Sequence, residues 1–463
     1  MDNKTTIVAI ATAPGQSAIA VIRLSGADAF KIISKIFVAA GKDKSIESMT
    51  THSLHYGSIA DKENTIDNVL ISIFRTPHSY TGEDLIEISC HGSVFIQQKI
   101  LELLIDNGAC LAKPGEFTMR AFLNKKMDLA QAEAVADLIA SSNRASHKLA
   151  ILQMRGGFSA KIKELRKQLL DFASLIELEM DFSEEDVEFA NRTELKSFII
   201  NIKEEICKLV DSFKLGNVIK YGIPVAIIGK PNVGKSTLLN ALLNEEKAIV
   251  SEIPGTTRDA IEDTIIIEGL AFRFIDTAGL RNSNDKIETF GIEKTYQKIE
   301  QAKIILFVFD ITQTKVDDVL KEIQELKTKT DLSAKIIIVV ANKTDELIVT
   351  PRSFSKLIDM ETIFISAKRR ENINLISESL LNSVKRDILK QDELIISNAR
   401  HYEALTKANV AVDNILSAIE SGKTNDLIAS DMHTALHYLG EITGEISSAE
   451  ILNNIFNNFC IGK

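Results

Sequence analysis

The chain has 463 residues, of which 45% are apolar and 25% carry a charge. At about 150 residues per domain this length predicts about three domains, and the composition excludes a disordered or collagen-like chain. The 54 Lys and Arg against 64 Asp and Glu give a net charge of −10. Bulk charge therefore does not attract nucleic acid, and any RNA contact needs a local patch or a partner protein.

The cysteines and the apolar runs limit the compartment. Cys90, Cys110, Cys207 and Cys460 lie far apart without a CxxC pair, which argues against a zinc site or a disulfide framework and suits a reducing compartment. The apolar runs are well below the ~18 residues of a membrane span. The first residues show neither a signal nor a transit peptide. We predict a cytoplasmic protein with no membrane contact.

The first part of the chain predicts a small α+β domain, because apolar runs alternate with turn residues and with two segments of helical spacing. The predicted strands are 6–11, 19–24, 69–74 and 85–89, and the predicted helices are 27–38 and 94–106.

From Pro114 onward Gly and Pro become rare and long helical periodicity begins. Asp128 with Gln131 three residues later predicts an N-cap and a variant of the capping box. Further helices are predicted at 159–181 and 194–215, with an acidic solvated loop at 183–188 between them.

At Ile223 the pattern changes to short β-branched runs that alternate with helices, which is typical of a mostly parallel sheet. The predicted strands are 223–228, 264–267, 272–275, 304–309, 336–341 and 362–365. After about Arg386 the chain is helical again, with predicted breaks at Gly440 and Gly444 and a capping box from Ser447 to Glu450.

This order predicts a multidomain protein: an N-terminal α+β domain, an all-α helical domain, and an α/β P-loop domain inserted into the helical one. The predicted bounds are 1–118 for the first domain, 119–218 and 386–463 for the two parts of the helical domain, and 219–385 for the insertion. Two separate helical domains are the alternative.

A GxxxxGK[ST] motif follows the strand 223–228 and precedes a predicted helix at 237–243, which is the strand, loop and helix context that a phosphate-binding loop needs. Its glycines let backbone N–H groups approach the phosphates, and the helix N-terminus adds partial positive charge. Lys235 would reach the β- and γ-phosphates, and Ser236 would bind Mg²⁺. The motif comprises Gly229, Lys230, Pro231, Asn232, Val233, Gly234, Lys235 and Ser236, with Thr237 directly after it.

Three further tetrapeptide-like motifs follow predicted strands in the order found in guanine-nucleotide-binding domains. Asp345 can accept both donors of the guanine edge, whereas adenine would leave this carboxylate unpaired, at a cost of ~1–3 kcal/mol. The chain is therefore predicted to bind GTP and GDP. The residues concerned are Asp276, Thr277, Ala278 and Gly279; Asn342, Lys343, Thr344 and Asp345; and Ser366, Ala367 and Lys368.

The hydrolytic residue is less obvious, because Leu280 stands where Ras-like GTPases carry the glutamine that orients water. Asn232 could bind a monovalent cation near the phosphates, and Glu288 could orient water, with a solvent-facing loop glutamate as the alternative. Between the motifs, a Thr hydroxyl of one further segment could complete the Mg²⁺ shell, with a simple turn as the alternative. That segment is Ser251, Glu252, Ile253, Pro254, Gly255, Thr256 and Thr257.

With these motifs the chain resembles the tRNA modification GTPase family MnmE, also called TrmE, over essentially its whole length. The resemblance also rests on segments outside the nucleotide site. These are 11–15 (ATAPG), 22–26 (IRLSG), 80–84 (YTGED), 87–92, 113–117 (KPGEF), 120–134 and 459–463 (FCIGK).

The resemblance implies an N-terminal domain that dimerises and binds a tetrahydrofolate derivative, in the 5-formyl or 5,10-methylene form. By motif matching, folate contacts fall on Arg23, Glu87, Lys126 and Lys463; surface charges or salt bridges are the alternative. Mg²⁺ would be bound by Ser236 and Thr257. K⁺ would be bound by Asn232 with groups of Ser251, Ile253 and Thr256.

The family implies potassium-stimulated GTP hydrolysis that requires two GTPase domains of a homodimer to meet, with Glu288 orienting water. It acts with the flavoprotein MnmG, as a heterotetrameric partner, to add a carboxymethylaminomethyl-type group at C5 of the wobble uridine of tRNA. Cys460 is a candidate reactive thiol, with a small buried apolar side chain as the alternative. A ribosome-assembly GTPase and a membrane-remodelling GTPase are the competing functions, although no basic RNA-binding segment or lipidation signal supports them.

Overall fold

The structure is a computed structural model. It describes all residues except 1–4, 41–45, 63, 182–191, 246–262, 276–298, 333–334, 348–361, 389–393, 458 and 463. The chain divides into two compact units. The first comprises Met1–Ala136, Gln153–Phe189 and Asn425–Lys463, and the second comprises Asp137–Leu152 and Ala190–Thr424.

The described strands are β1 (Ile7–Ile10), β2 (Ile19–Ser25), β3 (Phe37–Ala39), β4 (Ser53–Asp61), β5 (Asn64–Phe74), β6 (Leu85–His91), β7 (Cys110–Leu111), β8 (Ile223–Ile228), β9 (Asp263–Ile267), β10 (Leu270–Phe274), β11 (Ile304–Asp310), β12 (Ile336–Asn342) and β13 (Thr362–Phe364). The described α-helices are α1 (Ala29–Ile33), α2 (Val94–Asp106), α3 (Glu116–Leu123), α4 (Leu129–Ala140), α5 (Arg144–Met154), α6 (Gly157–Asp181), α7 (Arg192–Tyr221), α8 (Lys235–Glu245), α9 (Val316–Lys329), α10 (Ile373–Ile388), α11 (Ala399–Glu420), α12 (Asn425–Thr443) and α13 (Ala449–Phe456). Short 3₁₀ helices lie at Ile46–Ser48 and Thr344–Glu346.

The first unit begins with a seven-stranded sheet in the order β3-β4-β5-β6-β2-β1-β7. The pairs are antiparallel except β1 with β7. Strand residues alternate across the sheet, so one face carries the buried Ile, Val and Leu side chains, and α1 and α2 pack on that face. The predicted α+β domain is confirmed.

The predicted helix 27–38 is wrong in its second half. The helix α1 ends at Ile33, and β3 follows it at the edge of the sheet, where Phe37 pairs with Ile59 and Ala39 with Gly57. Gly57 lacks the Cβ that would otherwise lie 2.4 Å from the Phe37 ring. A local helical pattern therefore gives way to strand pairing that depends on residues twenty positions further along the chain.

Beyond the sheet, α3 carries the buried cation of the first unit. Arg120 is 2% exposed, and its guanidinium donates to Thr5 O at 2.8 Å, Glu116 Oε1 at 2.9 Å and Glu83 Oε2 at 3.2 Å. Because a buried charge is tolerated only when it is paired, this network fixes α3 against the sheet.

In the helical part of the first unit, one predicted cap is confirmed, and one predicted helix break and one other predicted cap are wrong. Asp128 Oδ1 accepts from Gln131 N and Gln131 Oε1 accepts from Asp128 N, both at 3.0 Å, which is the predicted capping box. The predicted break at Gly440 is wrong, because α12 continues through this residue. The helix ends at Thr443, directly before the second predicted break at Gly444. The cap of α13 is Ser448, which accepts from Ile451 N at 3.3 Å, and not Ser447.

Helices from before and after the second sheet pack in pairs, α6 with α12 in the first unit and α7 with α11 in the second. The helix α7 begins at Arg192 and ends at Tyr221, six residues beyond the predicted end. Gly216 in this helix lets Ile396 approach closely, because a Cβ there would lie 1.8 Å from Ile396 O.

The second unit contains a six-stranded sheet in the order β13-β12-β11-β8-β10-β9. Its pairs are parallel except β10 with β9, so the predicted mostly parallel sheet is confirmed. Apolar side chains fill both faces of the central strands, and α8, α9 and α10 pack against them. The carboxyl ends of β8, β11 and β12 therefore meet at one edge, where ligands bind in such sheets.

Candidate nucleotide-binding site

The phosphate-binding motif forms a loop between β8 and α8 that only glycine fits at two positions. Gly229 has φ of 149°, and a Cβ there would lie 2.0 Å from Val308 O. Gly234 has φ of 95°, and a Cβ there would lie 2.3 Å from the Asn342 side-chain nitrogen. A close backbone approach at both points leaves the concave loop that a phosphate chain requires.

The first residues of α8 place the predicted phosphate and Mg²⁺ ligands together. Lys235 begins the helix, and its Nζ donates to the carbonyls of Gly229 and Lys230, at 2.6 Å each. Ser236 and Thr237 follow in the same first turn, where free backbone N–H groups and the helix dipole favour anions. Asn232 adopts a left-handed conformation with φ of 63° in the loop. This geometry fits a polyphosphate with a divalent cation at the Ser236 hydroxyl.

Asn342, at the end of β12, joins three parts of the site. Its Nδ2 donates to Val233 O at 2.8 Å, and its Oδ1 accepts from Ala367 N at 3.0 Å. The side chain is buried, so both ends of the amide are satisfied by backbone groups. It thus connects the phosphate loop to the segment after β13 that was predicted to support the base.

The carboxylate of Asp345 is positioned by a second hydrogen bond. Its Oδ1 accepts from the Ser366 hydroxyl at 2.7 Å, and the Arg369 Nε lies 3.7 Å from its Oδ2. The hydrogen bond from Ser366 lowers the pKa of Asp345 against the opposing effect of desolvation, with smaller help from Arg369 and Lys368. The group is ionised near neutral pH and can accept the paired N–H donors of guanine.

Sequence reasoning missed Asp310, at the carboxyl end of β11. Its Oδ2 pairs with Lys343 Nζ at 2.6 Å, and its Oδ1 accepts from the Thr312 hydroxyl and N–H. Burial opposes ionisation of Asp310, but the hydrogen bonds from Lys343 and Thr312 outweigh it and lower the pKa. The sequence contained a signal for Asp310. This carboxylate ends the buried run of β11, which lies between β12 and β8, so it falls at the same edge of the sheet. Asp310 fixes the lysine of the guanine motif.

Many predicted ligands lie outside the described residues. They are Ser251, Glu252, Ile253, Pro254, Gly255, Thr256, Thr257, Asp276, Thr277, Ala278, Gly279 and Glu288. Among the described residues, the predicted Mg²⁺ ligand is Ser236 and the predicted K⁺ ligand is Asn232. The structure brings together the other described residues of the site, which are Val233, Gly234, Lys235, Asn342, Lys343, Asp345, Ser366 and Ala367. Lys368 follows them with its side chain exposed.

A second polar cluster lies on the sheet of the first unit. Arg23 donates to Glu87 Oε1 through Nε at 2.9 Å and Nη2 at 2.7 Å, because β2 and β6 place the two residues opposite each other. Its Nη1 donates to Gly462 O at 3.4 Å. Its guanidinium lies over the rings of Tyr80 and Phe117, with centroids at 5.4 and 5.7 Å. The structure thus brings together two of the four residues predicted to contact folate.

The other two behave differently. Lys126 Nζ donates to Pro77 O at 2.9 Å and lines a cavity formed with Met127 and Thr443. Lys463 lies outside the described residues. Cys460 is exposed, so the alternative of a buried apolar thiol is wrong. Cys90 is the buried thiol of this sheet, and burial raises its pKa to about 11.

A model of the MnmE helical domain matches residues 129–460, which is more than half of the chain. The chain belongs to the MnmE family. A second model, described as the GTP-binding protein TrmE N-terminus, matches residues 6–126. The resemblance and the fold class drawn from the motifs are confirmed.

Curated MnmE relatives match over nearly their full lengths. Proteins named tRNA modification GTPase MnmE are 51% identical in Flavobacterium johnsoniae and 50% identical in Bacteroides thetaiotaomicron, covering 100% of both chains in each comparison. The protein of that name in Cytophaga hutchinsonii is 50% identical over 99% of this chain and 98% of its own.

Proposed function

We propose that this chain hydrolyses GTP as a component of the system that modifies the wobble uridine of tRNA at C5. The observation that supports the proposal is a hydrogen-bond network in which Asn342 joins Val233 of the phosphate loop to Ala367, while the neighbouring Ser366 holds the carboxylate of Asp345. The membership in a family whose curated relatives are named tRNA modification GTPases supports the role in tRNA modification.

In this proposal Lys235 binds the β- and γ-phosphates, and Ser236 with Thr257 binds Mg²⁺, which neutralises the phosphate charge that develops during transfer. Asn232, whose left-handed backbone places it on the phosphate loop, binds K⁺ with groups of Ser251, Ile253 and Thr256. Glu288 orients the attacking water, because Leu280 has no polar group for this task.

We further propose that a tetrahydrofolate derivative supplies the one-carbon unit at the Arg23 cluster. A guanidinium that donates twice to Glu87 Oε1 and lies near the rings of Tyr80 and Phe117 suits a flat heterocycle that carries donors and an anionic tail. Lys126 and Lys463 complete the proposed set. The reactive role of Cys460 is consistent with its exposure.

A homodimer is proposed through the outer face of the N-terminal sheet. Val38, Leu54 and Tyr56 are 60%, 60% and 56% exposed, and Leu70 lies opposite Tyr56 in the β4–β5 register. Neighbouring apolar side chains on a sheet face are typical of an interaction surface. The flavoprotein MnmG and tRNA are the further proposed partners, in the cytoplasm. No described helix is long and apolar enough to cross a membrane.

The test is mass-spectrometric analysis of tRNA nucleosides from cells without the chain, or with it replaced by variants. Cells without the chain should lose a C5-aminomethyl-type wobble uridine. The wild-type chain should restore this nucleoside, and Lys235→Ala should not. Lys321→Ala, an exposed lysine on α9, is the matched control and should restore it. Unchanged nucleosides would overturn the proposal and favour a ribosome-assembly GTPase, which co-sedimentation with ribosomal subunits would then detect.

A further inference from the structure

The carboxylate of Asp345, which is proposed to accept two donors of guanine, is covered in this structure. Its side chain is 7% exposed. None of the three residues in the 3₁₀ helix that carries it, Thr344–Glu346, is buried as a whole. The cover on the carboxylate is therefore local, and it does not come from burial of the whole segment.

Two described side chains contact this carboxylate, one at each oxygen. The Ser366 hydroxyl donates to Oδ1 at 2.7 Å, and Ser366 has no exposed surface. Arg369 Nε lies 3.7 Å from Oδ2, which is too long for a hydrogen bond and makes the contact an ion pair. The Arg369 side chain is 61% exposed. Of the two contacts, the one with Arg369 can therefore open at the lower cost.

A tight turn holds Arg369 beside the carboxylate. Ser366 and Glu371 close the turn through two backbone hydrogen bonds, Ser366 N to Glu371 O at 3.2 Å and Glu371 N to Ser366 O at 3.0 Å. Within the turn, Arg369 N donates to the Ser366 hydroxyl at 3.1 Å. The same hydroxyl thus contacts the backbone of Arg369 and the carboxylate of Asp345. The guanidinium therefore stays within reach of Oδ2 even when its side chain turns away.

The guanidinium and the guanine edge offer a carboxylate the same kind of group. In guanine, N1–H and N2–H flank one carbon, and the arginine side chain likewise carries parallel N–H donors on one carbon. Such paired donors bind a carboxylate best when both of its oxygens are available. Guanine can use both oxygens of Asp345 only when Oδ2 is uncovered. The base and Arg369 therefore need the same oxygen.

We infer that Arg369 competes with guanine for the carboxylate of Asp345, and that it thereby lowers the affinity for guanine nucleotides and speeds their release. The inference rests on the proposed role of Asp345 in binding the base. As the base leaves, the guanidinium can pair with the carboxylate again, so the buried charge is not left without a partner. A ligand of the phosphate loop alone does not use Asp345 and should not be affected by Arg369.

The test is titration of the full chain with a fluorescent GDP analogue, together with stopped-flow measurement of its release. Arg369→Gln keeps a polar side chain and removes the charge. Because a largely exposed ion pair contributes little, we expect binding to become about three- to fivefold tighter, with most of the change in a slower release. Arg369→Lys keeps the charge without the paired donors and should give a smaller gain.

Arg370→Asn is the charge-matched control. Arg370 is the next residue of the turn, is exposed, and has a φ of 58°, which asparagine tolerates. This variant should bind the GDP analogue as the wild-type chain does. Competition by inorganic pyrophosphate, which has no base, reports on the phosphate loop and on folding. The affinity for pyrophosphate should be the same in the wild type and in all three variants.

Two further measurements separate competition at Asp345 from a merely structural role of the turn. Salt screens an exposed ion pair, so the ratio of the wild-type and Arg369→Gln dissociation constants should fall from about four in ~50 mM KCl toward one in ~1 M KCl. In an Asp345→Asn background the charge of the carboxylate is gone. Arg369→Gln should then no longer strengthen binding.

Weaker or unchanged GDP binding in Arg369→Gln would overturn the inference, and weaker binding would mean that the guanidinium helps to hold the carboxylate for the base. An equal gain in Arg370→Asn, in the affinity for pyrophosphate or in the Asp345→Asn background would also overturn it, because the effect would then not act through Asp345. Failure of the proposed role of Asp345 is seen separately, as GDP affinity that stays intact in Asp345→Asn alone.

Discussion

The Asn342 side chain donates a hydrogen bond to the carbonyl of Val233 at 2.8 Å, although 109 residues separate them along the chain. The same amide accepts from Ala367 N. One buried side chain therefore holds both the phosphate loop and the segment after β13. A substitution in either segment should disturb the other.

Substitution of Gly234 by alanine tests this connection. The new Cβ would lie 2.3 Å from the Asn342 Nδ2, so the amide must move and its hydrogen bond to Val233 is lost. We expect GDP affinity to fall about 10- to 100-fold, as for a lost buried hydrogen bond of ~1–3 kcal/mol. Titration with a fluorescent GDP analogue measures this. Gly422→Ala is the control, because it has a left-handed φ of 64° with nothing within 4 Å; equal losses in both variants would contradict the steric explanation.

Asp345→Asn should move preference from GTP toward XTP. The carboxylate accepts the guanine donors, whereas an amide can donate to the additional carbonyl of xanthine. We expect GDP binding to weaken by at least about tenfold and XDP binding to strengthen, by competition titration. Glu346→Gln, at the exposed next position, should change neither. Intact GDP affinity in Asp345→Asn would show that another residue selects the base.

Hydrolysis should depend on the monovalent cation. With Na⁺ in place of K⁺ we expect the rate of phosphate release to fall about tenfold or more. In the proposed mechanism, K⁺ supplies the positive charge that an arginine finger supplies in other GTPases. Asn232→Gly retains a residue suited to the φ of 63° but lacks the amide oxygen. This variant should hydrolyse slowly in both salts. If wild type and variant keep the same ratio of rates in K⁺ and Na⁺, Asn232 is not a potassium ligand.

Arg120→Met should destabilise the first unit strongly. The change leaves the carboxylates of Glu83 and Glu116 without their buried cation, which typically costs ~3–5 kcal/mol. Chemical denaturation followed by circular dichroism measures the loss. Lys99→Met removes a cation of similar length from a pair about one third exposed, and should cost less than about 1 kcal/mol. A loss that small in Arg120→Met would mean that the network contributes little.

The edge at which Asn342, Asp345 and Ser366 lie was predictable from the sequence. Each of them ends or closely follows an apolar strand, and parallel strands bring such ends to one edge. Asp310 was missed although it satisfies the same rule, because the guanine motifs by themselves do not require a partner for Lys343.

The errors came where tertiary contacts override local pattern. Phe37 continues a helical pattern, but pairing with Ile59 makes it a strand residue. Gly440 resembles a helix break, yet the helix continues through it, and a Cβ there would lie 3.1 Å from Ile446 Cδ1 and 3.2 Å from Arg166 Nε.

The hydrogen bond from Arg23 to the Gly462 carbonyl joins residues 439 positions apart. During synthesis, the N-terminal sheet leaves the ribosome long before residue 462 is made, and domains generally fold in the order of emergence. The contact of Arg23 with Gly462 can therefore form only after residue 462 has been made. A chain cut before residue 462 would keep the pair of Arg23 and Glu87 on the sheet and would lack this contact.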